Sequence, residues 1–118
     1  NMSLNVYFVN HGYNPRKVYV IWDDPFADLS LIEKRFFIYK NGKMLIEGSS
    51  SDFSKPSMWD HDHHTNLFRK KSTRQFFFLD EDLNDFQEYT YKVTGVCLAD
   101  GEIVAEKSSG IMTLKSDA

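Results

Sequence analysis

At 118 residues with a net charge of −3, the chain is the size of one domain and has no overall attraction for a phosphate backbone, so nucleic acid is not an expected partner. Hydrophobic residues make up 42% and aromatics 15%, enough for a core, and the aromatic share favours strands over helices. The one cysteine, Cys97, excludes an intrachain disulfide, and no apolar run approaches the roughly 18 residues of a spanning helix, so direct membrane insertion is not expected.

The pattern along the chain alternates with period two almost throughout. "LNVYFVN" from Leu4 is a first strand, and "HGYNPR" supplies turn residues with Pro15 as a breaker. In "KVYVIW" (Lys17 to Trp22), Val18, Val20 and Trp22 share one face, while Tyr19 and Ile21 share the other and are expected to face out. Pro25 closes that strand because it cannot donate to a ladder. "FADLSLIEK" has room for one short helical turn. "KRFFIYK" (Lys34 to Lys40) places Phe36 and Ile38 opposite Phe37 and Tyr39. Asn41-Gly42 then joins it to "KMLIEG" as a hairpin, since a type I′ turn needs two positive φ angles.

Residues 49–72 lack a period and are rich in Ser, Asp, His and Lys, so they are expected to form a long insertion loop. Its "RKK" run (Arg69 to Lys71) is read as a solvated surface. "TRQFFFL" is a strand and "DEDLND" a turn. "QEYTYKVTGVCLA" (Gln87 to Ala99) is the longest strand, with Tyr89, Tyr91 and Val93 on one face. Asp100-Gly101 turns the chain into a last strand, broken near "SSG", where a bulge is expected.

About seven short strands with two hairpin signals point to an all-β, seven-stranded antiparallel sandwich in one domain. Val18, Val20, Trp22, Phe36, Ile38, Leu83, Tyr89, Tyr91 and Val93 are its expected core. The start and the "KSDA" end suit a domain cut from a larger chain.

The residues resemble a fibronectin type III domain. "VYVIWDDP" is similar to that family's second strand, with Trp22 as the core tryptophan and Pro25 the proline after it. "FFIYKNGKML" is similar to its third strand and following turn. "LNDFQEYTYKVTGV" resembles its segment of a Leu followed by a Tyr at the start of the long sixth strand, Leu83 and Tyr89 here. The resemblance implies that Tyr89 is a corner tyrosine whose hydroxyl bonds back to upstream backbone. It covers nearly the whole chain. Two features depart from the family: "NDFQ" replaces the usual Pro or Gly between that Leu and Tyr, and the 49–72 insertion is longer than the norm. The implied role is a non-enzymatic binding or spacer module that contacts protein partners or adjoining domains, with no cofactor; the resemblance favours an extracellular or cell-surface setting, while the absence of a disulfide leaves a cytoplasmic one open.

Chemical candidates are weighed against plainer readings. In "WDHDHH" (Trp59 to His64), an extended chain points His61 and His63 the same way. Two imidazoles from one stretch hold a transition ion only weakly, and closed zinc sites draw three or four ligands from separate positions. The favoured reading is therefore a polar loop, with His61 and His63 as weak metal candidates. "DEDLND" lacks the Gly and Glu that an EF-hand needs at its sixth and twelfth positions, which here are Asp85 and Tyr91. Cys97, flanked by Val96 and Leu98, reads as a core thiol. The contact candidates are Phe53, Met58, Trp59, His61 and His63 in the insertion, with Phe37 and Tyr39 on a sheet face. The alternatives are a carbohydrate-binding module that stacks Trp59 and exposed tyrosines on sugar rings, and a metal-binding module using the His cluster.

Overall fold

The computed structural model describes residues 4–11, 14–27, 29, 32–54 and 75–115. These form two antiparallel sheets stacked in a sandwich. One is three-stranded, in the order β1 (Val6–His11), β2 (Asn14–Asp23), β5 (Gln75–Asp80). The other is five-stranded: β4 (Lys43–Ser49), β3 (Glu33–Lys40), β6 (Glu88–Ala99), β7 (Glu102–Ser108), with β8 (Met112–Lys115) also paired to β6.

Both sharp hairpins follow from their sequences. Asn41 (φ 53°) with Gly42 (φ 83°), and Asp100 (φ 54°) with Gly101 (φ 82°), place two positive φ angles between paired ends Lys40–Lys43 and Ala99–Glu102. That backbone twist matches the right-handed twist of the flanking strands. The register skips Leu45 in β4 and Val104 in β7, so each strand carries its bulge soon after its turn. The break near "SSG" is of another kind. Ser109 still answers Val93, through its N–H to the Val93 carbonyl (2.8 Å) and through Oγ accepting from the Val93 N–H (2.9 Å). The chain then steps off the ladder at Gly110-Ile111 and returns as β8, so the described residues hold eight strands where seven were expected.

Pro15 lies inside β2 instead of ending the turn before it. The β1–β2 register is interrupted between the Asn10–Val18 and His11–Asn14 pairs, and an interruption of this kind tolerates a residue without an N–H. Beyond Asp23, Phe26 is buried over the core edge, and its carbonyl accepts from the Leu29 N–H at 2.9 Å.

The inner faces supply one cluster. Val18, Val20, Trp22 and Phe76 from the three-stranded sheet meet Phe36, Ile38, Tyr89, Tyr91 and Val93 from the other, with Leu83 at one end. Trp22 is at the centre, 5.4 Å from the Phe36 and Phe53 rings and edge-on to both. Gly95 of β6 lets Phe36 and Phe26 lie against its backbone. A Cβ there would come within 2.8 Å of Phe36 Cε1 and 3.1 Å of Phe26 Cε2. Gly95→Ala should therefore lower unfolding free energy by about 1–3 kcal/mol in urea denaturation, the usual cost of overpacking. An unchanged midpoint would show that the two rings can move aside.

The outward face of β2 is dry. Tyr19 and Ile21 stand on the outer face, as alternation assigned them, but they are only 2% and 0% exposed. With Phe77 they form a second cluster, flanked by Tyr7, Val9 and Leu79 on the neighbouring strands. Alternation assigns a residue to a face but does not decide whether that face is wet.

Candidate interaction surface

β3 places its residues by strict alternation. Lys34, Phe36, Ile38 and Lys40 point inward, while Phe37 and Tyr39 stand half-buried on the outer face. Phe37 is opposite Glu47 and Thr94, and Tyr39 is opposite Met44 and Lys92. Tyr39 opens onto a groove of about 410 Å³ lined by Tyr39, Gly42, Thr90, Tyr91, Lys92 and Ile111. Ile111 in this lining is exposed, and so is Met44, the cross-strand neighbour of Tyr39. On the other side of the β3–β4 tip a shallower groove of about 560 Å³ runs between Lys43, Met44 and Leu45 and the β5–β6 loop at Asp82, Asn84 and Gln87.

The tip is tied to β6, since Asn41 donates its N–H to the Thr90 carbonyl (2.8 Å) and its Oδ1 accepts from the Thr90 N–H (3.0 Å). The β5–β6 loop is tied at several points. Arg16 forks onto both oxygens of Asp85 at 3.1 Å. The Lys40 ammonium donates to the Asp82 carbonyl at 2.8 Å and lies 4.8 Å over the Tyr89 ring. The Tyr89 hydroxyl accepts from the Asn84 N–H at 2.6 Å.

Two buried ionic groups lie behind this surface. Asp80 of β5 accepts from Lys40 at 2.9 Å, from the Tyr91 hydroxyl at 2.5 Å and from the Asp82 N–H at 3.1 Å. This joins one sheet to the other across the core's end. Burial pushes the Tyr91 hydroxyl far above the ordinary phenol range, and the hydrogen bond to anionic Asp80 and that carboxylate's charge push the same way. At the opposite end of β3, Lys34 pairs with Asp24 at 2.9 Å, both almost wholly buried, and Asp24 also accepts from the Phe26 N–H. Cys97 is the cross-strand neighbour of Lys34, and burial raises its thiol while the Lys34 charge pulls it down.

Of the expected contact residues, Phe37 and Tyr39 share this outer face. Phe53, expected with them, is 2% exposed and packs against Trp22. It ends a short 3₁₀ turn, Ser50–Phe53, at whose start the Asp52 carboxylate accepts from the Ser49 N–H at 2.8 Å. That turn tips the ring into the sandwich. The Ser-x-x-Asp spacing was the available sign of a capped turn inside the supposed loop. Met58, Trp59, His61 and His63 lie outside the described residues, as does most of the expected 49–72 insertion. Among the described residues, no group of three or more His, Cys, Asp or Glu side chains converges as a metal site would.

Sequence reading missed Ile111, Phe86 and the ionic groups. Ile111 and Phe86 lie off any strand period. Lys34 and Lys40 could have been placed, because they share parity with Phe36 and Ile38. Compared with known protein families and with curated proteins, the chain matches no family model and no curated sequence.

Proposed function

We propose that the chain is a non-catalytic contact module of a larger protein, resembling a fibronectin type III domain, whose outer five-stranded face around Tyr39 meets a protein partner or a neighbouring domain. The observation that carries this reading is the Tyr39 groove: aromatic and aliphatic side chains stand half-wet on a pinned sheet face, with exposed Ile111 in its lining and exposed Met44 across the strand pair from Tyr39. Such patches on a stiff scaffold suit recognition more than catalysis. The family resemblance draws support from buried Trp22 and from the Tyr89 hydroxyl bonded to upstream backbone at Asn84.

Hydrogen–deuterium exchange of these residues, alone and within the longer protein, tests the reading. Peptides covering 37–45 and 88–92 should exchange more slowly in the longer protein, and identical exchange would remove the contact. Tyr39 in a groove also suits a sugar ring. Saturable glycan-array binding abolished by Tyr39→Ala would replace a protein partner with a carbohydrate.

A further inference from the structure

We propose that this end of the sandwich is a self-association surface, in which Phe86 of one copy enters the Tyr39–Ile111 groove of a second and the reciprocal contact closes a two-fold dimer. The proposal rests on the reading of the Tyr39 face as a contact surface and names its occupant.

Phe86 carries the argument. Its φ of 58° is in the left-handed region, where a bulky side chain is an outlier, and the residue is 80% exposed. A loop shaped for stability alone takes Gly or Asn at such a position. The loop is also held firmly, by Arg16 on Asp85, by Lys40 on the Asp82 carbonyl and by Tyr89 on Asn84. The ring is therefore displayed on a pre-ordered support, which lowers the entropic cost of association.

The groove complements it. Its volume of about 410 Å³ admits an aromatic side chain, Tyr39 and Ile111 offer apolar contact, and among the described residues Lys92 is the one charged side chain that lines it. Among the described residues, neither Asp82, in the same loop as Phe86, nor Lys92, in the groove, makes an ion pair. The uncompensated charges on the two halves are opposite, which steers the ring of one copy toward the groove of the other. Both halves lie at one end of the molecule, because Asn41 binds Thr90 and the β5–β6 loop leads directly into β6 at Glu88. A patch that holds both knob and hole is self-complementary and can close under a two-fold axis.

Sedimentation equilibrium of the 118-residue chain, from micromolar to millimolar and at low and high salt, tests this. A monomer–dimer equilibrium that weakens with salt is expected. Phe86→Gly should weaken association by about tenfold or more, as loss of a central aromatic anchor does, while leaving the melting temperature unchanged or higher. Lys92→Glu should weaken it as well, and adding Asp82→Lys should recover part of the loss. A monomer at every concentration, a dimer indifferent to Phe86→Gly, or growth past the dimer without a plateau would each overturn the proposal. A monomer together with protection of the Tyr39 face in the longer protein would sink the dimer and leave the contact surface standing.

Discussion

Asp80→Ala should cost about 3–5 kcal/mol of stability in urea denaturation near neutral pH, the range for removing one partner of a buried pair. The carboxylate satisfies the Lys40 ammonium, the Tyr91 hydroxyl and the Asp82 N–H together. Its removal leaves a cation that is 12% exposed without its counter-charge. Lys40 keeps the Asp82 carbonyl and the Tyr89 ring, which places the loss toward the lower end of that range. Replacing both members, Asp80→Leu with Lys40→Met, should recover much of the loss, because apolar residues of similar volume often substitute for a buried pair at little cost. A loss below about 1 kcal/mol in Asp80→Ala would mean that the pair is screened as a surface bridge is.

The same cluster sets an alkaline limit. The Tyr91 hydroxyl is raised in the folded protein, chiefly by burial, whereas the unfolded chain ionises near pH 10. Its contribution is therefore complete below about pH 10 and declines as pH rises above it, since the unfolded state then releases a proton that the folded state keeps. The slope for one proton is about 1.4 kcal/mol per pH unit. Tyr91→Phe should make the alkaline decline shallower by that amount. Tyr7 and Cys97, also raised by burial, leave a residual slope.

Trp22→Ala should cost about 3–5 kcal/mol, comparable with the whole stability of a marginal domain, and should broaden or abolish the cooperative transition. Trp22 is fully buried, and its ring is packed by Phe36, Phe53 and Phe76, so its loss opens a cavity that both sheets line. Trp22→Phe should cost less than about 2 kcal/mol. Among the described residues the Trp22 indole N–H has no acceptor, and removing an orphaned buried donor offsets part of the lost volume. Equal destabilisation by the two substitutions would show that the indole N–H is satisfied in solution.

Strand parity made the core legible. Val18, Val20 and Trp22, Phe36 and Ile38, and Tyr89, Tyr91 and Val93 were each assigned to one face by alternation, and all lie in the inner cluster. Asn41-Gly42 and Asp100-Gly101 were legible because the turn's positive φ angles leave few residue choices. These are local properties, set by neighbours two to four residues apart.

What depended on distant segments was not legible. Phe53 looked like loop and became core because a capped turn aimed it at Trp22, on a strand far away in sequence. Alternation put Tyr19 and Ile21 on the outer face, and only the fold decided that this face is buried. The Asp80–Lys40–Tyr91 cluster needed β5 to be laid across the ends of β3 and β6. The candidate site arose in the same way: Tyr39 was placed outward by alternation, but Ile111 reached it only through the break between β7 and β8. By itself the sequence determined the strands, their faces and their tight turns, since period and turn chemistry act along the chain. Only the tertiary structure decided which faces are wet and which charges meet, because burial and ion pairing depend on segments brought together from far apart.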